Sequence, residues 1–504
     1  MKKIFLTLLM TGALISSCDM EVKPYGSLDD TTAIQSLNDC YRFRNGLYNS
    51  LKGMTTGSYV YITDLQGDEF QATVSYGNRN GIVHAGTFTS AEGTFESYWA
   101  AFYSVITSAN YIIEKMDNLR NSSSFNEDEL IELDRYEAEA KFIRAYSYFS
   151  LMQRFCEPYT AEIGATEAMG LPIVKTYDPT GDLTKYPGRS SQDDTYKFID
   201  EDLTDALNGL AKYEAKNNEN LAPEAIYLST NAVKALQARI ALYKGDNATA
   251  LSKSEEVINS GIYSLAEISE FKQMWKEDKT NEAILKIHMT NTELGNSTGG
   301  TYLGTKLNSA DYIPSYETIS MYAENDIRSQ VYFDTWNLSV EGGTFSTVVF
   351  NKYPGNDELK TGSDPNFVNM SKPFRLAELY LIAAEAASTT DENKANKYLN
   401  DLREKRIEGY QRTTYSGQAL INEIRTERQK ELIGEGFRLA DLNRWGLGFQ
   451  RGVSHPENPD VESILAVNGK GLSYSVKDYR YVWPIPSAEM QTNPQLKGQQ
   501  NKGY

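Results

Sequence analysis

Apolar residues return at steps of three and four through most of this chain, the spacing that lines one face of an α-helix. In YEAEAKFIRAYSYFSLMQRF (136–155), Phe142, Ala145, Tyr146, Phe149 and Met152 fall on one stripe. STNAVKALQARIALYKGDNATALSKSEEVINSG (229–261) predicts a helix, a turn at Gly245–Asp246 and a second helix closed by Gly261. FRLAELYLIAAEAASTTDENKANKYLNDLREKR (374–406) repeats that plan, with Thr389, Thr390 and Asp391 supplying the break and an N-cap. Small alanines sit between bulky residues in each segment, so two paired helices approach closely.

This alternation of helix, tight turn and helix resembles tetratricopeptide-type repeats. Three stretches break the helical pattern: 56–95, 295–312 and 341–367, all rich in Gly, Ser, Thr, Asn or aromatic residues. Within the last, TFSTVVFNKY carries the β-branched content of a short strand. The predicted fold is therefore mainly α, a scaffold of tetratricopeptide-like helix pairs with long irregular loops and a few short strands. Loops of this size inside a helical chain are often functional, and they are where a ligand is expected. IRTERQKELIGEGFRLADLNRWG (424–446) reads as one more helix, with Glu435, Arg438, Asp441 and Arg444 alternating in sign at steps of three. Helical ion pairing, not catalysis, is the expected use of those charges.

The N-terminus follows a different rule. Lys2 and Lys3 precede an apolar run from Ile4 to Ile15, and a helix of that length spans about 18 Å, short of a bilayer core of about 30 Å. A basic start, a short apolar stretch and small residues describe a secretory signal over 1–17. Ile15-Ser16-Ser17-Cys18 resembles a bacterial lipobox, which makes Cys18 the expected lipid attachment and membrane anchor. Asp19 and Glu21 behind it resemble outer-membrane and surface-export signals.

Composition narrows the chemistry. With 68 acidic against 50 basic residues and a formal charge of −18, the chain would repel phosphate backbones, so no nucleic-acid partner is expected. Its three histidines, His84, His288 and His455, are scattered and stand apart from cysteine, which argues against zinc and against Ser- or Cys-His catalysis. No metal, cofactor or catalytic residue is expected. Cys40 and Cys156 either pair or lie buried as free thiols. GLGFQRG (446–452) follows a helix and lacks dinucleotide-loop spacing, and GTYLGTK (300–306) lacks the Gly-Lys-Ser/Thr of a phosphate loop.

Several segments together resemble the SusD/RagB family of nutrient-binding outer-membrane lipoproteins. They are AEAKFIRAYSYFSLMQRF (138–155), GLPIV (170–174), FRLAELYLIAAEA (374–386), the 424–446 stretch and the proline-punctuated tail WPIPSAEMQTNPQLKGQQNKGY (483–504). They occur in family order from the lipobox to the last residue, where Lys502 stands in place of the usual proline. The resemblance implies an N-terminal SusD-like region over 18–215 and a C-terminal RagB/SusD region over 216–504, joined in one compact fold. It also implies capture of a glycan at the cell surface, with delivery to a SusC-like TonB-dependent transporter and no covalent chemistry. Oligopeptides, as in RagB-like members, are the alternative ligand. A helical glycosidase and a pure protein-interaction scaffold are the remaining alternatives.

Sugar rings pack their C–H faces on aromatic planes and take directional hydrogen bonds at their hydroxyls. Trp99, Trp275, Trp445 and Trp483 fall in helical or family-core segments, which leaves Trp336 as the free indole. Where many glycan-binding members carry an early-loop tryptophan, HAGTFTSAEGTF offers Phe88. Asp68 and Glu69 match the family's early acidic pair. The expected contacts are these two with Tyr76, Arg79, Asn80, Phe88, Tyr302, Tyr312 and Trp336.

Overall fold

The computed structural model describes residues 33–217, 224–340 and 342–504, so Cys18 and the signal expected at 1–17 lie outside the described residues. Its longer helices are α1 (Leu37–Met54), α2 (Ser58–Gln66), α3 (Gly93–Ser122), α4 (Glu127–Phe155), α5 (Gln192–Asn217), α6 (Thr230–Lys244), α7 (Asn247–Ile258), α8 (Ile268–Lys276), α9 (Leu376–Ala387), α10 (Glu392–Glu404), α11 (Gly417–Leu432) and α12 (Arg438–Arg444). Strands are few and short, and each pairs with a single neighbour, antiparallel: β1 (Phe70–Ala72) with β3 (Tyr312–Pro314), β2 (Ala283–Leu285) with β6 (Phe374–Arg375), and the hairpin β4 (Phe333–Val340) with β5 (Gly343–Phe350). The mainly α architecture is as the periodicity predicts. Among the described residues no helix is long and apolar enough to cross a membrane.

Helices that follow one another pack as hairpins, and each hairpin leans on the next. The series runs α3 on α4, α4 on α5, α5 on α6, α6 on α7, α7 on α9 and α9 on α10 and α11. Local chemistry sets the ends. Ser229 Oγ accepts from the Ala232 N–H at 3.2 Å to start α6, and Gly245 closes it at φ 74°. Asp246 and Asp391 cap α7 and α10 by accepting from the N–H groups of Thr249 and Lys394. Asn126 and Glu129 form a reciprocal capping box at the head of α4. That helix is the hub of the core, with Phe142, Ala145, Phe149 and Met152 all buried on it. The same core cluster draws on Phe374, Leu379 and Trp483 far along the chain. Cys40 and Cys156 are buried free thiols.

The 424–446 stretch departs from the single helix expected. It breaks between α11 and α12, where Gly434 and Gly436 adopt φ of 74° and 82°. A Cβ on Gly436 would sit 2.8 Å from the Val60 carbonyl oxygen, and one on Gly434 would sit 2.7 Å from the Phe350 ring, so close packing as well as conformation requires glycine here. The charges consequently find other partners. Arg438 pairs with Asp68 at 2.7 Å, and Glu435 accepts from Lys352 and Arg375. Only Asp441 and Arg444 keep the i,i+3 pairing, at 2.8 Å.

These are not surface pairs. Arg328, Arg375 and Arg406 are almost fully buried and converge on Glu431, with N–O distances of 2.9 to 3.1 Å. Glu282 bridges Arg375 and Arg406, while Asp326 and Glu427 neutralise Arg328. Burial alone would raise the Glu431 carboxyl, but Arg406, Arg375 and Arg328 outweigh it and hold it far below the usual carboxylate range. The cluster ties β6, α11, the turn before β4 and the end of α10 into one body.

A second core cluster lies under the hairpin, built on Phe70, Tyr302, Tyr312, Val349 and Phe350. Two acids are buried beside it. Asp64 and Glu69 have 0% and 1% exposure, and neither side-chain oxygen of Glu69 finds a hydrogen-bond partner among the described residues. Burial raises both carboxyls above their ordinary range; the charge of Asp64 adds to the rise at Glu69, and that of Glu435 to the rise at Asp64.

Two predictions follow from these charges. Glu431→Ala leaves three buried guanidinium groups short of a counter-charge and costs about 3–5 kcal/mol in denaturant unfolding, whereas Lys253→Ala, which removes an i,i+3 pair on α7, costs at most about 0.5 kcal/mol. Glu69 stays protonated in the folded chain while the unfolded chain ionises above its ordinary 4.5, so this group's contribution is lost as pH rises. Above the ordinary carboxyl value of 4.5, Glu69→Gln therefore shows a stability decline with pH that is shallower than wild type by up to about 1.4 kcal/mol per pH unit, and parallel curves would refute the assignment.

Candidate functional site

Loops outside the helical series are tied to one another. Loop A (residues 73–82) follows β1, loop B (304–311) precedes β3, and loop C (465–470) lies beside both. β1 pairs with β3 in the register Ala72↔Tyr312, which brings A and B together. Thr73 N–H donates to Asp311 O at 2.8 Å, and Ala466 N–H donates to Ala72 O at 2.9 Å, adding C. The β4–β5 hairpin joins through Ser339 N–H to Asn308 O at 2.7 Å and through Asn458 Nδ2 to Ser346 O at 2.8 Å.

Side chains lock the loops to each other. Arg79 holds Asp311 in a bidentate pair whose Nε–Oδ2 arm is 2.5 Å, and that hydrogen bond holds its guanidinium above its ordinary pKa. Tyr312 Oη donates to Arg79 O, and its ring lies 6.0 Å from Tyr76 and 5.0 Å from His84. Asn468 Nδ2 donates to Tyr76 Oη at 3.2 Å and to Gly81 O at 3.3 Å. Asn78, Asn80 and Leu307 all have φ between 57° and 60°. Asn tolerates that left-handed conformation; Leu does not readily, and Leu307 stores strain at a loop tip where it is half exposed.

Arg451 supports the assembly from below. It is fully buried and faces no carboxylate within ion-pair distance among the described residues; instead it donates to the carbonyls of Leu65, Gln66 and Gly67 at the C-terminal end of α2, and to those of His84 and Gly469. The negative end of the α2 dipole offsets its charge, although burial still lowers its pKa to about 10. His84 Nε2 lies 3.0 Å from Arg451 Nη1 and Nδ1 lies 2.8 Å from Leu65 O, so Nδ1 carries the proton. Burial and the neighbouring guanidinium push the His84 pKa well below its ordinary value, and the ring is neutral.

The nine expected contacts separate clearly. Tyr76, Arg79, Asn80 and Tyr312 are brought together in the loop cluster, but Tyr312 has 0% exposure and serves as its internal strut. Trp336 lies half-buried on the hairpin, with Nε1 donating to Asp334 Oδ2 at 3.0 Å. Tyr302 is fully enclosed against Phe70 and Phe350 at 4.7 and 4.8 Å. Phe88 packs on Phe95 and on the ring of Tyr504, so it presents no face to a ligand. Glu69 is enclosed, and Asp68 is held by Arg438, whose charge outweighs burial and lowers the carboxyl. Residues that sequence reasoning did not single out complete the surface: Val74, Leu307 and Val467 are exposed apolar groups, and Asp311 and Asn468 are the polar ties. The glycine punctuation of Asn468-Gly469-Lys470-Gly471 was the available signal for loop C. Among the described residues no group of three or more His, Cys, Asp or Glu side chains could hold a metal ion.

Comparisons with known proteins agree on one family. Residues 20–242 match a family model described as starch-binding associating with outer membrane, and residues 337–504 match the SusD family model. SusD-like protein P25 of Formosa agariphila is 24% identical, with 97% of each chain covered. A SusD superfamily protein from Bacteroides thetaiotaomicron superposes with a TM-score of 0.77 at 26% identity, covering 92% of this chain and 99% of that one. A candidate sugar binding protein from Bacteroides vulgatus gives 0.74 at 28% identity, covering 94% and 100%. With both ends matched by models of one family and solved structures spanning nearly its whole length, the chain belongs to the SusD family.

Proposed function

We propose that the loop cluster captures a glycan at the outer surface of the outer membrane and holds it without chemical change. The observation that carries this reading is the loop cluster itself, where four segments far apart in sequence are hydrogen-bonded into one body that still turns apolar groups and polar side chains to solvent. A pre-set surface of that kind suits a ring with C–H faces and hydroxyl edges, because little ordering entropy is lost on binding. Trp336 supplies the stacking plane, Val74, Leu307 and Val467 the apolar rim, and Arg79, Asn80 and Asn468 the hydrogen bonds. The acids nearby suit a binding role: Glu69 is enclosed and Asp68 is committed to Arg438. The starch-binding description of the family model and the sugar-binding relative support the ligand class.

The wider role follows from the motif order. Cys18 tethers the protein through a lipid to the outer membrane, and the captured glycan passes to a SusC-like TonB-dependent transporter. Affinity gel electrophoresis of the purified mature protein against embedded starch, xylan, mannan, galactan and inulin tests the binding step. Retardation by at least one polysaccharide is expected, with Trp336→Ala weakening it about tenfold while the protein stays folded at the assay temperature. Retention of a peptide mixture with no glycan bound would replace this reading by peptide capture, and shortened glycan products would replace it by hydrolysis.

A further inference from the structure

A second concave surface lies on the helical scaffold, away from the loop cluster. Tyr41, Asn45, Tyr48, Asn49 and Lys52 recur at steps of three and four along one face of α1, a stretch of about 16 Å. Across from them run the segments around Tyr227 and His288. The groove between these walls encloses about 670 Å³. Tyr41 and Tyr227 line it with 43% and 42% of their surface exposed, and His288, Asn45 and Asn49 are exposed as well.

Large aromatic rings left this open need a reason, and the surroundings show they are held in place. Arg44 lies at the floor, its guanidinium 4.4 Å from the Tyr48 ring centroid and 4.8 Å from that of Tyr227. Its charge is neutralised by Glu139, with Nη2 2.8 Å from Oε1. Tyr48 Oη donates to the same carboxylate at 3.0 Å and accepts from the Leu228 N–H at 2.9 Å, which pins the segment carrying Tyr227. At the far end Lys52 Nζ donates to Glu293 O at 3.2 Å, closing one wall on the other. A buried ion pair thus sets the planes of the half-buried Tyr48 ring and the exposed Tyr227 ring, while Tyr41 leans on Tyr136 with ring centroids 6.2 Å apart.

The chemistry selects the occupant. Two open ring faces separated by side-chain amides and an imidazole match a neutral, hydroxyl-rich ring, with C–H groups on the tyrosines and hydroxyls on Asn45, Asn49 and His288. No long apolar stripe is present to seat a helix, and the floor's charge is already satisfied, so an anionic ligand gains little. We infer that the Tyr41–Tyr227 groove is a second carbohydrate site, which grips a glycan chain independently of the loop cluster. It rests on the glycan reading above for ligand class and on none of its residues.

The test uses the mature protein, the polysaccharide panel already named, and three variants: Tyr41→Ala with Tyr227→Ala, Tyr41→Phe with Tyr227→Phe, and Trp336→Ala. Both tyrosines are exposed, so the substitutions leave the fold intact, and the unfolding midpoint of each variant verifies this. The groove reading expects the double alanine variant to bind about tenfold more weakly and the double phenylalanine variant to stay close to wild type, because the ring faces do the work. It also expects glycan binding that survives Trp336→Ala to vanish when the alanine pair is added. If the alanine pair changes retardation by no polysaccharide, the groove proposal is overturned while the loop-cluster reading stands. If Trp336→Ala has no effect and the alanine pair abolishes binding, the loop cluster fails and the groove holds. Protection of the groove by a peptide mixture but by no glycan also overturns it.

Discussion

A buried arginine must meet a carboxylate or a set of carbonyl oxygens or cost the fold dearly, and this molecule is organised around one place where three of them meet a single carboxylate. Glu431 receives Arg328, Arg375 and Arg406 at once, and the surrounding acids complete the balance of charge. Their positions matter more than their energy. One lies in the turn before the hairpin, one on β6 and one at the end of the α9–α10 pair, so a single carboxylate registers the hairpin module against the helical stack. Replacing such a cluster with hydrocarbon of equal volume is often neutral or stabilising. What the charges supply is direction: each guanidinium fork accepts only one docking geometry.

From that anchor the structure divides labour. The helix pairs are close-packed and capped, with alanines where neighbours approach, and they leave little room for adjustment. The loop cluster is built differently. Hydrogen bonds between loops add to the second apolar cluster beneath them, residues sit in left-handed backbone conformations, and some apolar side chains face solvent. Such a surface is shaped by its own polar ties as well as by the apolar cluster under it, which serves as its rigid base.

How far the chain disclosed this depended on whether the signal was local. Gly245, Asp246 and Asp391 announced helix breaks because turns and caps involve residues a few positions apart, and all three act as expected. The stretch 424–446 misled for a related reason. Its charges alternate at helical spacing, yet Gly434 and Gly436 turn the chain because Val60 and Phe350, remote in sequence, press against them. Site residues were harder still. Tyr302 and Phe88 stand in Gly- and Thr-rich segments that look like open loops, but long-range packing encloses both. Tyr76, Arg79 and Asn80 were legible as a group because they share one short loop. Their partners Asp311 and Asn468 come from β pairing across hundreds of positions, which no local pattern encodes.

Arg451 carries a consequence of its own. Because carbonyl oxygens hold it, its grip contains no group that gains a proton in mild acid. Its own proton departs only in strongly alkaline surroundings, near its lowered pKa of about 10. The post beneath the loop cluster thus keeps its charge from mild acid to mildly alkaline conditions, and any response of these loops to pH in that range must arise elsewhere.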